Sequence, residues 1–87
     1  MNEKINKKQM QIRLNNIVKS FKQHYPDEQI TGFYIITNED GIPEFVLVRD
    51  VYPGYSGYAT ILMKNDTQPI PIDPRKYELN RGNYHAL

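Results

Sequence analysis

The chain has 87 residues, 39% of them apolar or aromatic, with 11 Lys+Arg against 10 Asp+Glu and no cysteine. One small domain is the expectation, spanning residues 1–87, with a single modest core. A net charge of +1 excludes an acidic nucleic-acid mimic and a strongly cationic tail, and the absence of cysteine excludes a disulfide scaffold, a thiolate metal site and a cysteine nucleophile.

The charges are segregated along the chain. Residues 1–25 carry six cations and one carboxylate, residues 26–51 one cation and six carboxylates, and residues 52–87 four cations and three carboxylates. A basic block followed by an acidic block has two readings: mutual attraction that docks the fold, or two contact surfaces of opposite sign that steer partners. No apolar run is long enough for a transmembrane helix or a signal-peptide core, so the expected location is cytoplasmic and no membrane is among the expected partners.

The first element is an amphipathic helix over residues 7–25. Met10, Leu14, Ile17, Val18, Phe21 and Tyr25 recur at the spacing of one buried stripe. Asn6 and Gln9 have capping-box spacing, and Pro26 ends the helix because the residue before proline is pushed out of the α region. Lys4, Lys8, Lys19 and Lys22 project within about 60° of one another at 100° per residue, forming a basic edge. Ile5 and Ile12 lie beyond that edge, as minor core contacts or as part of an exposed docking strip.

Residues 30–37 and 42–52 read as two strands joined by a turn at residues 38–41, where Gly41 can take a positive φ. Residues 58–64 read as a third strand after a Tyr-, Pro- and Gly-rich connection. In residues 69–74, prolines at every second position forbid a central strand; an edge strand or an extended segment that packs Ile70 and Ile72 inward is expected. Residues 75–87 offer one short helical turn around Tyr77 and Leu79, with a loose tail over residues 82–87. The predicted fold class is α+β: one N-terminal amphipathic helix packed on a three- to four-stranded antiparallel sheet, in the order α-β-β-β plus an extended Pro-rich C-terminal segment.

The strands are apolar on both sides, where a half-buried strand would alternate. Phe33 and Ile35 oppose Tyr34 and Ile36; Phe45 and Leu47 oppose Val46 and Val48; Tyr58 and Leu62 oppose Ala59, Ile61 and Met63. One helix covers one face. The other is covered by the C-terminal piece, by curling of the sheet, or by another chain.

No constellation of catalytic residues stands out. His24 falls at a helix C-terminus, where a cation suits the dipole, and His85 lies two residues from the chain end. Glu39, Asp40 and Glu44 flank a turn without the spacing of a calcium loop, so no metal and no cofactor is expected. Gly54-Tyr55-Ser56-Gly57 lacks the spacing of a nucleophile elbow, and no phosphate-cradling glycine motif is present. The expected function is therefore a small non-enzymatic protein-interaction module, an inhibitor, adaptor or subunit that binds another protein or a second copy as a homodimer. The Asn-, Ile-, Lys- and Tyr-rich composition suits a phage or mobile-element gene. Its expected contact residues are Tyr52, Tyr55 and Tyr58, whose rings supply rigid area with a polar tip, together with Tyr34, Val46 and Val48 on the face away from the helix. The alternative is a small nucleic-acid-binding protein using Lys4, Lys8, Lys19 and Lys22. A third is a small nuclease using His24 or Arg49 with a nearby carboxylate.

Overall fold

A computed structural model describes residues 7–51, 57–77, 79 and 83–87. Helix α1 (Lys7–His24) is followed by strands β1 (Gln29–Thr37), β2 (Pro43–Asp50), β3 (Thr60–Lys64) and β4 (Gln68–Pro71), a 3₁₀ turn (Pro74–Tyr77) and a short strand β5 (His85–Ala86). The strands form one antiparallel sheet in the order β4-β3-β2-β1-β5. The α+β class holds, and the sheet has one strand more than expected.

The apolar stripe of α1 makes the core. Leu14, Ile17 and Phe21 are buried and meet Phe45, Leu47, Ile61 and Met63 of the sheet, while Met10, Val18, Tyr25, Phe33 and Ile35 pack around them. Each fully enclosed side chain of this kind contributes roughly 1.5–3 kcal/mol. The registers Phe33↔Leu47, Ile35↔Phe45 and Leu47↔Ile61 put these residues on the helix face. Tyr34, Ile36, Val46, Val48 and Leu62 consequently belong to the far face, as the alternation requires.

Arg13 ties the helix to the sheet. Its Nε and Nη2 donate to the two carboxylate oxygens of Asp66 at 2.9 and 2.8 Å, Nη2 also donates to the Pro43 carbonyl at 2.8 Å, and the guanidinium lies 5.0 Å from the Phe45 ring centroid. The hydrogen bonds that Arg13 donates to Asp66 raise its pKa above the ordinary value. Asp66 is presented by the β3–β4 turn, where Asn65 and Asp66 both adopt left-handed φ angles of 53° and 66°. Asn and Asp are the side chains that tolerate this region best after glycine.

The two sheet edges differ. Ile72 N donates to Thr60 O at 3.0 Å, so the amides of Ile70 and Ile72 face β3 and the nitrogens of Pro69 and Pro71 face outward. The Pro-rich segment is thus an edge strand. Of its two isoleucines only Ile72 packs inward as expected, at 6% exposure; Ile70 is 38% exposed.

At the other edge the chain end is not loose. His85 and Ala86 pair with Phe33 and Gly32, and Leu87 N donates to Thr31 O at 3.0 Å. The His85 ring stacks on Phe33 at 5.0 Å, while Tyr84 meets Tyr34 edge-on at 5.5 Å. The end of the chain therefore grips β1 from both faces. Tyr84 needs Gly32: a Cβ there would lie 2.2 Å from the Tyr84 hydroxyl oxygen. Gly32→Ala is expected to displace the ring and lower stability by about 1 kcal/mol, the worth of an aromatic pair. In a Tyr84→Ala background the same substitution should turn neutral or stabilising, because alanine suits a strand better than glycine. Additive melting temperatures across that double-mutant cycle would contradict the packing of Tyr84 on Gly32.

Candidate docking surface

β4 and β5 lie at opposite edges, and two of the described residues between them lie on the far face: Tyr77 beside Ile36, Leu62 and Ile70, and Tyr84 over Gly32 and Tyr34. Val46 is completely enclosed, and Tyr34, Ile36, Val48 and Leu62 are half-buried. Tyr77 and Tyr84 of the C-terminal piece thus cover part of this face. A groove remains at the end of the sheet that carries the β1–β2 turn.

The groove is built from neighbouring strands. Leu62 pairs with Val46 on one side and Ile70 on the other, and Ile36 pairs with Glu44. These rungs are about 4.8 Å apart, so their far-face side chains form a continuous row. Ile36, Leu62, Ile70 and Tyr77 line a groove of about 660 Å³ bordered by Glu39, Asp40, Glu44 and Lys64.

Two local devices hold its rims. In the β1–β2 turn, Asn38 Oδ1 accepts the amides of Asp40 and Ile42 at 2.8 and 3.0 Å, and Gly41 N donates to Asn38 O at 2.9 Å. Gly41 has φ 78°, the left-handed conformation anticipated for it. Glu39 and Asp40 are thereby fixed at the exposed tip.

On the other side, Asp73 caps the 3₁₀ turn that carries Tyr77. Its Oδ1 accepts Arg75 N at 3.0 Å, and its two carboxylate oxygens accept Arg75 Nε and Nη2, each at 3.0 Å. The Arg75 side chain, then its backbone amide, hold the Asp73 carboxyl below the usual carboxylate range. Whatever stability this cap supplies is therefore present above the ordinary aspartate pKa and fades as pH falls through the lowered value. In an NMR titration Asp73 should protonate later than a free aspartate as the pH falls, and Arg75→Ala should move its midpoint upward; a midpoint that Arg75→Ala leaves in place would rule out this cause.

Of the residues expected to make contacts, Tyr34, Val46 and Val48 share the far face, where Tyr34 pairs with Val46 across β1 and β2. Tyr52 and Tyr55 lie outside the described residues. Tyr58 is 46% exposed, and its carbonyl accepts Arg49 Nη2 at 2.5 Å. Tyr34 is half-buried beside Tyr84, and Val48 is half-buried. Val46, at 0% exposure, belongs to the interior, because the register that puts it on the far face also puts it in the central strand. Among the lysines, Lys4 lies outside the described residues, Lys8 and Lys19 are exposed on the outer strip of α1 with Ile12, and Lys22 is half-buried, its Nζ donating to the Glu28 carbonyl at 2.8 Å.

Sequence reasoning passed over Leu62, Ile70 and Tyr77 as contact residues. The signal was there: Leu62 on a doubly apolar strand, and Ile70 between two prolines on an edge.

A second, apolar groove of about 390 Å³ lies on the helix side, lined by Lys7, Met10, Gln11, Leu14, Phe33, Ile35 and Phe45. Among the described residues no group of three or more His, Asp or Glu is placed to hold a metal ion, and no helix is long and apolar enough to cross a membrane. No family model, curated protein or solved structure matches this chain.

Proposed function

We propose that this chain is a small non-enzymatic protein-interaction module that acts by docking another protein on the far face of its sheet. The observation that carries this reading is the groove of Ile36, Leu62, Ile70 and Tyr77, an apolar floor between charged rims. Ile70 and Tyr77 are 38% and 41% exposed. Exposed apolar surface rimmed by polar groups is characteristic of interaction sites, and an adaptor, inhibitor or subunit needs nothing more than such a surface.

A photo-crosslinking side chain at position 70 should give a discrete adduct with a second protein in host extract, and the same group at exposed Gln23 on α1, which lines neither groove, should not. No adduct at position 70, or identical adducts at both, would overturn the reading.

A second reading, nucleic-acid binding, is favoured by one observation: α1 carries Lys7, Lys8, Arg13, Lys19 and Lys22 and no carboxylate. Arg13 and Lys22 are engaged within the fold, and Lys7, Lys8 and Lys19 are exposed on α1. Three phosphate contacts support only weak, salt-sensitive affinity. Lys8→Glu with Lys19→Glu should abolish any low-salt gel shift if this reading holds.

A further inference from the structure

We propose that the segment docked in the far-face groove is cationic and apolar-anchored: a stretch of a foreign protein that sets one or two large aliphatic side chains on Ile36, Leu62 and Ile70 and places lysines or arginines against Glu39, Asp40 and Glu44. The inference rests on the docking function above and adds the chemistry of the partner.

The argument is charge complementarity around an apolar floor. Three carboxylates and one ammonium border the groove. Among the described residues the ion pairs are Arg13–Asp66, Arg49–Glu28 and Arg75–Asp73, and none of them uses the carboxylates of Glu39 and Asp40. They are nonetheless held in place, because the Asn38 side chain fixes the turn that carries them. Two adjacent acids at a rigid tip repel each other, and a cationic partner removes that cost on binding. The same rim repels a phosphate backbone or an anionic lipid surface, which excludes nucleic acid and membrane as occupants of this groove.

The groove volume falls within the roughly 300–1,000 Å³ of ordinary ligand sites, enough for a few side chains, and its floor is an open sheet rather than an enclosed cavity. A chain segment fits that shape better than a small molecule.

The outer strip of α1, with Lys8 and Lys19 around exposed Ile12, has the right chemistry on this chain itself. It lies on the opposite side of the sheet from the groove, so mutual exchange between two copies does not close a dimer, and head-to-tail contact would build rings or open chains in place of a small complex. The occupant is therefore a different protein.

The test uses the full chain with methyl-labelled Ile and Leu, titrated with a short leucine–lysine peptide and with its leucine–glutamate counterpart. The lysine peptide is expected to shift the Ile36, Leu62 and Ile70 methyl resonances saturably and more weakly as salt rises; the glutamate peptide is expected to leave them in place. Glu39→Lys with Asp40→Lys, at the exposed turn tip, should retain the melting temperature and weaken the lysine peptide by about tenfold or more. Equal binding of both peptides at these methyls would overturn the charge assignment while leaving docking intact. Shifts confined to other methyls, or none at all, would overturn the partner class; a persisting crosslink at position 70 would then show that docking itself survives. Concentration-dependent shifts of the same methyls without any peptide would identify a second copy as the occupant and overturn the proposal.

Discussion

Glu28→Ala is expected to destabilise the protein by about 3 kcal/mol, the lower end of the range for stranding a buried charge. The charge is Arg49, whose side chain is 1% exposed. Its Nη1 donates to Glu28 Oε1 at 2.5 Å, its Nη2 to the Tyr58 carbonyl at 2.5 Å, and its guanidinium lies 5.3 Å from the Tyr25 ring centroid. Glu28 is 24% exposed, so water partly replaces the lost carboxylate, which places the cost at the low end. For a domain of this size the melting temperature should fall by more than about 10 °C. Glu28→Gln keeps an acceptor and should cost less. Replacing both partners by apolar residues, Arg49→Met with Glu28→Leu, should come out near neutral, because the desolvation of two ions is removed together with their attraction. A loss below about 1 kcal/mol for Glu28→Ala would place this pair in the class of solvent-screened surface bridges.

Phe45→Ala should cost a similar amount, about 3 kcal/mol in chemical denaturation. Phe45 is 1% exposed, its ring centroid is 5.6 Å from that of Phe33, and Arg13 lies over its face. It also lines the helix-side groove, so the vacated space would merge with that groove instead of forming a closed void. That partial access for water holds the cost toward the lower end of the 3–5 kcal/mol typical of phenylalanine truncation. Its neighbour Val46 points to the other face and supplies the comparison. If the far face is closed over β2, Val46→Ala costs about 1.5 kcal/mol or more, from two buried methyl groups and the cavity they leave. A value near zero would mean that the C-terminal segment does not seal that position. Both losses are large against the 5–15 kcal/mol that stabilises a typical domain.

Much of the fold was legible in the sequence because it is written in periodicity. The stripe from Met10 to Tyr25 predicts the helix and its buried face, and Leu14, Ile17 and Phe21 are the residues found enclosed. Asn38 and Gly41 mark the first turn, and Pro69 and Pro71 mark the edge strand. β5 was not legible: two residues, His85 and Ala86, carry no period, and their pairing depends on a contact with Phe33 more than fifty positions away. In the sequence Arg49 is a strand cation, offered with a nearby carboxylate as one candidate of the nuclease alternative. Nothing local announces that its position points under the helix C-terminus, where Tyr25 and Glu28 receive it. The candidate site was legible in part. The doubly apolar strands signal a surplus of apolar surface. Where that surplus stays open is decided by tertiary packing that no local pattern records: Val46 is enclosed and Ile70 exposed.

The outward-facing nitrogens of Pro69 and Pro71 have one more consequence. A β-sheet whose last strand offers no amide donors at alternate positions is a poor template for stacking further copies into cross-β fibrils. Substituting both prolines by threonine or valine would restore those donors beside the exposed Ile70, and with them a seed for amyloid growth at high protein concentration.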